Sequence, residues 1–113
     1  MNVIKVTEGE YIDYSVSKSK VTFADELTLN LEKRERDFDV SIDVCIDRDG
    51  AVTAGQLGVK YAAQIEIPAR EYTEEEVSNP DYDPEDSTSK ETIINKVPVP
   101  FSMNNVTLKL YAI

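Results

Sequence analysis

Histidine is absent from the 113-residue sequence, and cysteine occurs only once, as Cys45. Without histidine, neither a Ser–His nor a Cys–His catalytic pair can form. One cysteine cannot form an internal disulfide, so the fold requires no oxidising compartment. The four glycines form no phosphate-binding loop. The sequence therefore predicts that the protein is not an enzyme and that it carries no cofactor or metal ion. The alternative for a metal is calcium bound by Asp81, Asp83, Glu85 and Asp86, but their spacing matches no calcium loop.

Long apolar runs are also missing. No stretch approaches the roughly 18 apolar residues of a membrane span. The first ten residues, MNVIKVTEGE, contain no cationic segment followed by an apolar run, so we expect no signal peptide. These features predict a soluble protein with no membrane partner.

Basic residues are scarce, with 12 lysines and arginines against 22 acidic residues and a net charge of −10. Contacts with nucleic-acid phosphates need clustered lysine and arginine. The balance therefore argues against nucleic-acid binding and suits a basic protein partner.

Most of the negative charge lies in one segment, residues 71–91, which holds nine acidic residues and one basic residue. Its net charge is −8, which leaves −2 for the rest of the chain. The segment also contains Pro80 and Pro84 and has no apolar periodicity, so it cannot bury a face. We predict a single β domain over residues 1–113, with 71–91 as an acidic mobile loop inserted into it.

The rest of the sequence alternates apolar and polar residues, most clearly from Phe38 to Ile46. Such alternation is typical of strands with one buried face. It predicts an all-β fold, an antiparallel β-sandwich or open barrel of about six to seven strands. Residues 24–36 favour a strand, with a helix as the alternative. The predicted core consists of Phe38, Val40, Ile42, Val44, Tyr61, Ile65, Ile67, Val106, Leu108 and Leu110, while Asp37, Asp39 and Asp43 face solvent.

Pro98 and Pro100 stand two residues apart in the segment KVPVPF. In an extended chain their missing N–H groups point to the same side, which suits an edge strand or a polyproline-like segment over 96–101. An open edge can pair with a strand of another protein. The candidate partner-binding residues are therefore the acidic and edge residues Glu74, Glu75, Glu76, Asp81, Asp83, Glu85, Asp86, Val97 and Val99.

The segment Asp47–Gly50, with the sequence DRDG, resembles part of an EF-hand calcium loop. The first and last ligand positions of such a loop fall on Cys45 and Gln56, which do not fit. We interpret the segment as a turn in which Gly50 adopts a positive φ. Cys45 is predicted to be a small buried residue rather than a reactive thiol.

Two segments, FADELTLNLEKRERDFDVSIDVCIDRDG at 23–50 and VPVPFSMNNVTLKLYAI at 97–113, resemble small uncharacterised proteins encoded by phages and prophages of Gram-positive bacteria. The resemblance implies a phage or mobile-element origin, and together with the missing signal peptide it predicts a location in the cytoplasm of a bacterial host or in a virion. The β-rich sequence, the lack of catalytic groups and the open edge then lead to the hypothesis of a virion accessory or assembly protein, which binds a second copy or a phage structural protein. The alternative is an acidic inhibitor that mimics nucleic acid and binds a basic host or defence protein. A mimic would have to hold its carboxylates on a rigid face, which a mobile loop does not provide.

Overall fold

The computed structural model describes residues 1–55 and 59–113. In these ranges the chain is mostly β, as predicted, with two single-turn 3₁₀ helices, Glu32–Arg34 and Met103–Asn105. Neither helix is long enough to cross a membrane. The ten strands are β1 Asn2–Lys5, β2 Tyr14–Ser17, β3 Lys20–Phe23, β4 Leu27–Asn30, β5 Val40–Ile46, β6 Val52–Ala54, β7 Lys60–Ile67, β8 Tyr72–Ser78, β9 Thr92–Pro98 and β10 Thr107–Leu110.

The chain divides into two compact units. The first, which we call the body, consists of Met1–Arg70 and Phe101–Ile113. The second, which we call the ribbon, is Glu71–Pro100. The ribbon thus contains the acidic segment that the charge distribution singled out.

The body contains two sheets. One has five strands in the order β1-β10-β7-β5-β6, in which β1 runs parallel to β10 and the other pairs are antiparallel. The other is the antiparallel meander β2-β3-β4. Buried side chains of both sheets belong to one core, formed by Ile12, Val21, Phe23, Leu29, Leu31, Ile42, Val44, Val52, Ala62, Ala63, Ile65, Ile67, Val106, Leu108 and Leu110.

The prediction of a mostly β fold is confirmed, and every strand pair except β1 with β10 is antiparallel. The described residues form ten strands rather than six or seven, and the sheets form neither a clear sandwich nor a clear barrel. The strand predicted within 24–36 is present as β4, and a 3₁₀ helix follows it. β1 was not predicted. Its residues Val3 and Ile4 remain 42% and 47% exposed, so its sequence has no buried face from which to recognise a strand.

Most of the predicted core is confirmed, since the buried residues include Ile42, Val44, Ile65, Ile67, Val106, Leu108 and Leu110. Val40 is half-buried against this core. The prediction that Phe38 lies in the core is wrong. Its side chain is 65% exposed, because the chain bends at residues 37 and 38 and β5 begins only at Val40. The alternation therefore starts two residues before the strand does.

The prediction that Tyr61 belongs to the core is also wrong, since its side chain is 39% exposed. A β-bulge causes this difference. Val44 pairs with Ala63 and the next residue, Cys45, pairs with Tyr61, so that Ala62 is an extra residue in β7. An extra residue reverses which face the following side chains occupy. Tyr61 consequently lies on the side of the sheet away from the core.

Candidate interaction site

The ribbon is an antiparallel pair in which β8 and β9 match over seven positions, from Tyr72 opposite Pro98 to Ser78 opposite Thr92. Two backbone bonds extend the pairing at its ends. The Val99 N–H donates to the Glu71 carbonyl (2.8 Å), and the Asn79 N–H donates to the Glu91 carbonyl (2.9 Å). The structure therefore differs from the predicted long loop: residues 72–78 are a strand, and only residues 79–91 form the connection. The mobility predicted for the segment stays a prediction.

Facing residues of the pair lie on the same side of the ribbon, and successive residues alternate between sides. Val77 and Val97 are half-buried, whereas Ile93 and Ile94 on opposite sides are 42% and 67% exposed. One side, which we call the valine side, carries Thr73, Glu75, Val77, Ile93, Asn95 and Val97. The other, which we call the glutamate side, carries Tyr72, Glu74, Glu76, Ser78, Thr92, Ile94, Lys96 and Pro98.

The structure brings Glu74 and Glu76 together on the glutamate side, where Glu74 faces Lys96 and the Thr92 hydroxyl donates to one oxygen of Glu76. Glu75 lies on the valine side with Val97. The predicted binding residues of the two strands are therefore divided between two surfaces, because neighbouring residues of a strand point in opposite directions.

The connection at residues 79–91 is built from short turns held by aspartate side chains. Asp83 accepts the Glu85 N–H (3.0 Å), and Asp86 accepts both the N–H (2.9 Å) and the hydroxyl (2.7 Å) of Thr88. The hydrogen bonds from Thr88 lower the pKa of Asp86. Four acidic residues of the connection are predicted to bind a partner. Two of them, Asp83 and Asp86, stabilise the turns, and the other two are Asp81 and Glu85.

No three carboxylate or thiol groups converge to hold a metal ion in the described ranges. Asp47–Gly50 forms the predicted turn between β5 and β6: one oxygen of Asp47 accepts the N–H groups of Asp49 and Ala51, both at 2.9 Å, and Gly50 has a φ of +82°. The EF-hand position at Gln56 lies outside the described residues. Cys45 is buried at 4% exposure, as predicted.

A polar cluster in the body was not found from the sequence. The Tyr61 hydroxyl and the Gln64 amide (3.2 Å) both donate to the same oxygen of Asp43. The rings of Tyr61 and Tyr111 form a T-shaped contact at a centroid distance of 4.9 Å. Burial of the hydroxyl, together with the bond to Asp43, raises the pKa of Tyr61 well above its usual range. The phenol therefore keeps its proton and links β5 to β7, which is a structural role. Only the strand register, which brings Asp43 opposite Gln64, reveals this cluster.

The fold and the site together define a mostly β body with an acidic two-stranded ribbon. Comparison with protein-family models, with curated proteins and with solved structures finds no match for this chain.

Proposed function

We propose that this protein is a non-enzymatic structural or interaction protein, a virion accessory or assembly component of a phage, and that its ribbon binds a protein partner. The exposed ribbon is the observation that carries the proposal. Twelve of its fourteen strand residues are exposed, whereas six of the eight described body strands, all except β1 and β2, contribute buried side chains to a common core.

The ribbon exposes more apolar surface than a two-stranded element can bury by itself. A lone hairpin is at best marginally stable in water and needs packing on one face. Each side of the ribbon offers an exposed isoleucine to a partner, Ile93 on the valine side and Ile94 on the glutamate side. The net charge of −8 in residues 71–91 favours a partner with a basic surface.

Other parts of the proposal concern the body and its setting. The two body sheets with their common core suit an open, incomplete sandwich. A phage structural protein or a second copy is the expected partner, in the host cytoplasm or in the virion. The absence of histidine supports a role without catalysis.

The test is a pull-down from phage-infected cells with the full-length protein and two variants of equal charge. One carries Glu74→Gln, Glu75→Gln and Glu76→Gln. The control carries Glu8→Gln, Glu10→Gln and Asp25→Asn, at three exposed positions of the body. We expect the partner to be lost with the ribbon variant and kept with the control. Equal retention by both variants, or a protein that is a strict monomer and captures nothing, would contradict the proposal.

One observation favours the alternative of an acidic inhibitor. Glu74 and Glu76 lie on one side of a paired strand, where the rise per residue of about 3.4 Å holds them about 7 Å apart. Fixed carboxylates are what a nucleic-acid mimic requires. If this function is correct, duplex DNA will compete with the protein for its captured partner, whereas the partner of an assembly protein will be unaffected by DNA.

A further inference from the structure

The direction of the backbone N–H groups in the ribbon shows which of its edges can accept another strand. The bonds from Val99 to Glu71 and from Asn79 to Glu91 both join odd-numbered residues. In an antiparallel pair, alternate residues bond to the partner strand and the residues between them point outward. The even-numbered residues of β8 and β9 therefore direct their N–H and carbonyl groups away from the pair.

At the C-terminal end of β9 the outward positions are Pro98 and, just beyond the strand, Pro100. Proline has no N–H group, so this edge lacks donors at two successive outward positions. A strand added along β9 would lose hydrogen bonds at both. Prolines at such positions are a common way to block an edge.

On β8 the outward positions include Glu74 and Glu76, whose N–H groups are intact. Their side chains share the glutamate side, and Glu75 on the valine side adds a third charge. Lines of like charge repel a second acidic strand. A copy of the same ribbon is therefore disfavoured at this edge, and a strand with positive charges is favoured.

The inference rests on the proposed function. We propose that the partner adds an extended segment to the open edge of β8, and that this segment carries lysine or arginine at alternate positions. The backbone of the segment bonds to the outward groups of Glu74 and Glu76. Its basic side chains, two residues apart, lie beside the two carboxylates, since both have the same spacing. The occupant is thus a basic segment of a different protein rather than the acidic ribbon of a second copy.

The first test measures binding of synthetic peptides to the full-length protein by fluorescence anisotropy. One nine-residue peptide alternates lysine and threonine, a second has the same composition with its lysines in one block, and a third is the alternating peptide with N-methylated backbone groups on one edge. We expect the alternating peptide to bind at least tenfold more tightly than the other two. Equal binding of all three peptides would overturn the inference, because it would show attraction by charge alone.

The second test uses proline to remove one N–H group at a time. Glu74→Pro removes an outward N–H and spares the pairing with β9, while Glu74→Gln removes only the charge. We expect Glu74→Pro to weaken binding of the alternating peptide at least tenfold and Glu74→Gln to weaken it less. Protection of the Val97 and Val99 N–H groups from hydrogen exchange shows whether the ribbon is intact in each variant.

Two controls separate this inference from the proposed function. Val3→Pro removes an outward N–H from the open edge of β1, since the even-numbered residues Asn2 and Val6 donate to the carbonyls of Val106 and Leu110. This variant should leave peptide binding unchanged. Loss of binding with Val3→Pro and not with Glu74→Pro would overturn the inference. If Glu74→Pro retained the natural partner while the triple glutamine variant lost it, the ribbon would remain the binding element and strand addition would be wrong.

Discussion

Truncation of Ile42 and of Phe38 gives a decisive comparison, because the sequence pattern places both side chains in the core and the structure separates them. Ile42 is 7% exposed and pairs with Ile65, which is fully buried, whereas Phe38 is 65% exposed. Ile42→Ala removes three carbon atoms, worth about 2.4 kcal/mol at roughly 0.8 kcal/mol for each methylene. The cavity left behind raises the expected loss of unfolding free energy to about 3–4 kcal/mol.

Phe38→Ala should cost under about 1 kcal/mol, because full burial of a phenylalanine is worth about 2–3 kcal/mol and only about a third of this side chain is covered. Urea unfolding followed by circular dichroism measures both values, with the slope against urea compared to ensure that the unfolded states match. A loss of 3 kcal/mol or more for Phe38→Ala would refute the exposure of that side chain. A loss below 1 kcal/mol for Ile42→Ala would refute the core.

Three further changes test other parts of the body. Gly9→Ala should cost about 2–3 kcal/mol in thermal unfolding, because Gly9 has a φ of +142° and an added Cβ would come within 2.8 Å of the Ala112 Cβ. Asp39→Ala should cost about 1 kcal/mol, more than the loss of an exposed aspartate without a hydrogen bond, because the Asp39 carboxylate accepts the Ala69 N–H at 2.8 Å. The pKa of Tyr61 is higher in the folded protein than in the unfolded chain. The stabilisation that Tyr61 provides is therefore complete below about pH 10 and is lost as the pH rises toward the folded pKa. The free energy of unfolding measured against pH should show this loss.

Each of these changes has a matched control. Gly50→Ala should cost only about 1 kcal/mol, because its φ is +82° but nothing lies within 4 Å of the added Cβ. Asp39→Asn keeps an oxygen acceptor and should cost less than Asp39→Ala. Tyr61→Phe should remove the part of the decrease in unfolding free energy at alkaline pH that is due to the Tyr61 hydroxyl. Similar behaviour of a variant and its control would show that the stated contact is not the cause.

Alternation was sufficient to predict the β class and most of the core, because a strand with one buried face must place apolar residues at every second position. Ile42 and Val44 follow this rule. It failed at Phe38 and Tyr61 for different reasons. The pattern cannot show where a strand begins, and a bulge such as that at Ala62 changes the face without any mark in the local sequence.

The ribbon was predicted as an acidic segment with an edge strand, but β8 was not recognised. Three consecutive glutamates hide the period of two in YTEEEVS, and neither side of this strand is fully buried. Its pairing with β9 spans a connection of thirteen residues, 79–91, which no short turn motif identifies. The division of the three glutamates between the two sides of the ribbon could therefore be recognised only from the register of β8 with β9.

The parallel pairing of β1 with β10 has a consequence for how the body is made. Val3 lies opposite Leu108, so the two strands that meet are 105 positions apart in the chain. On the ribosome β1 emerges long before β10 and must wait, with Val3 and Ile4 uncovered, until the ribbon and β10 have been translated. Pairing of such distant segments slows folding, which for β-rich domains takes about milliseconds to seconds. During the interval between the synthesis of these two strands, β1 lacks its partner strand and is open to pairing with the wrong neighbour.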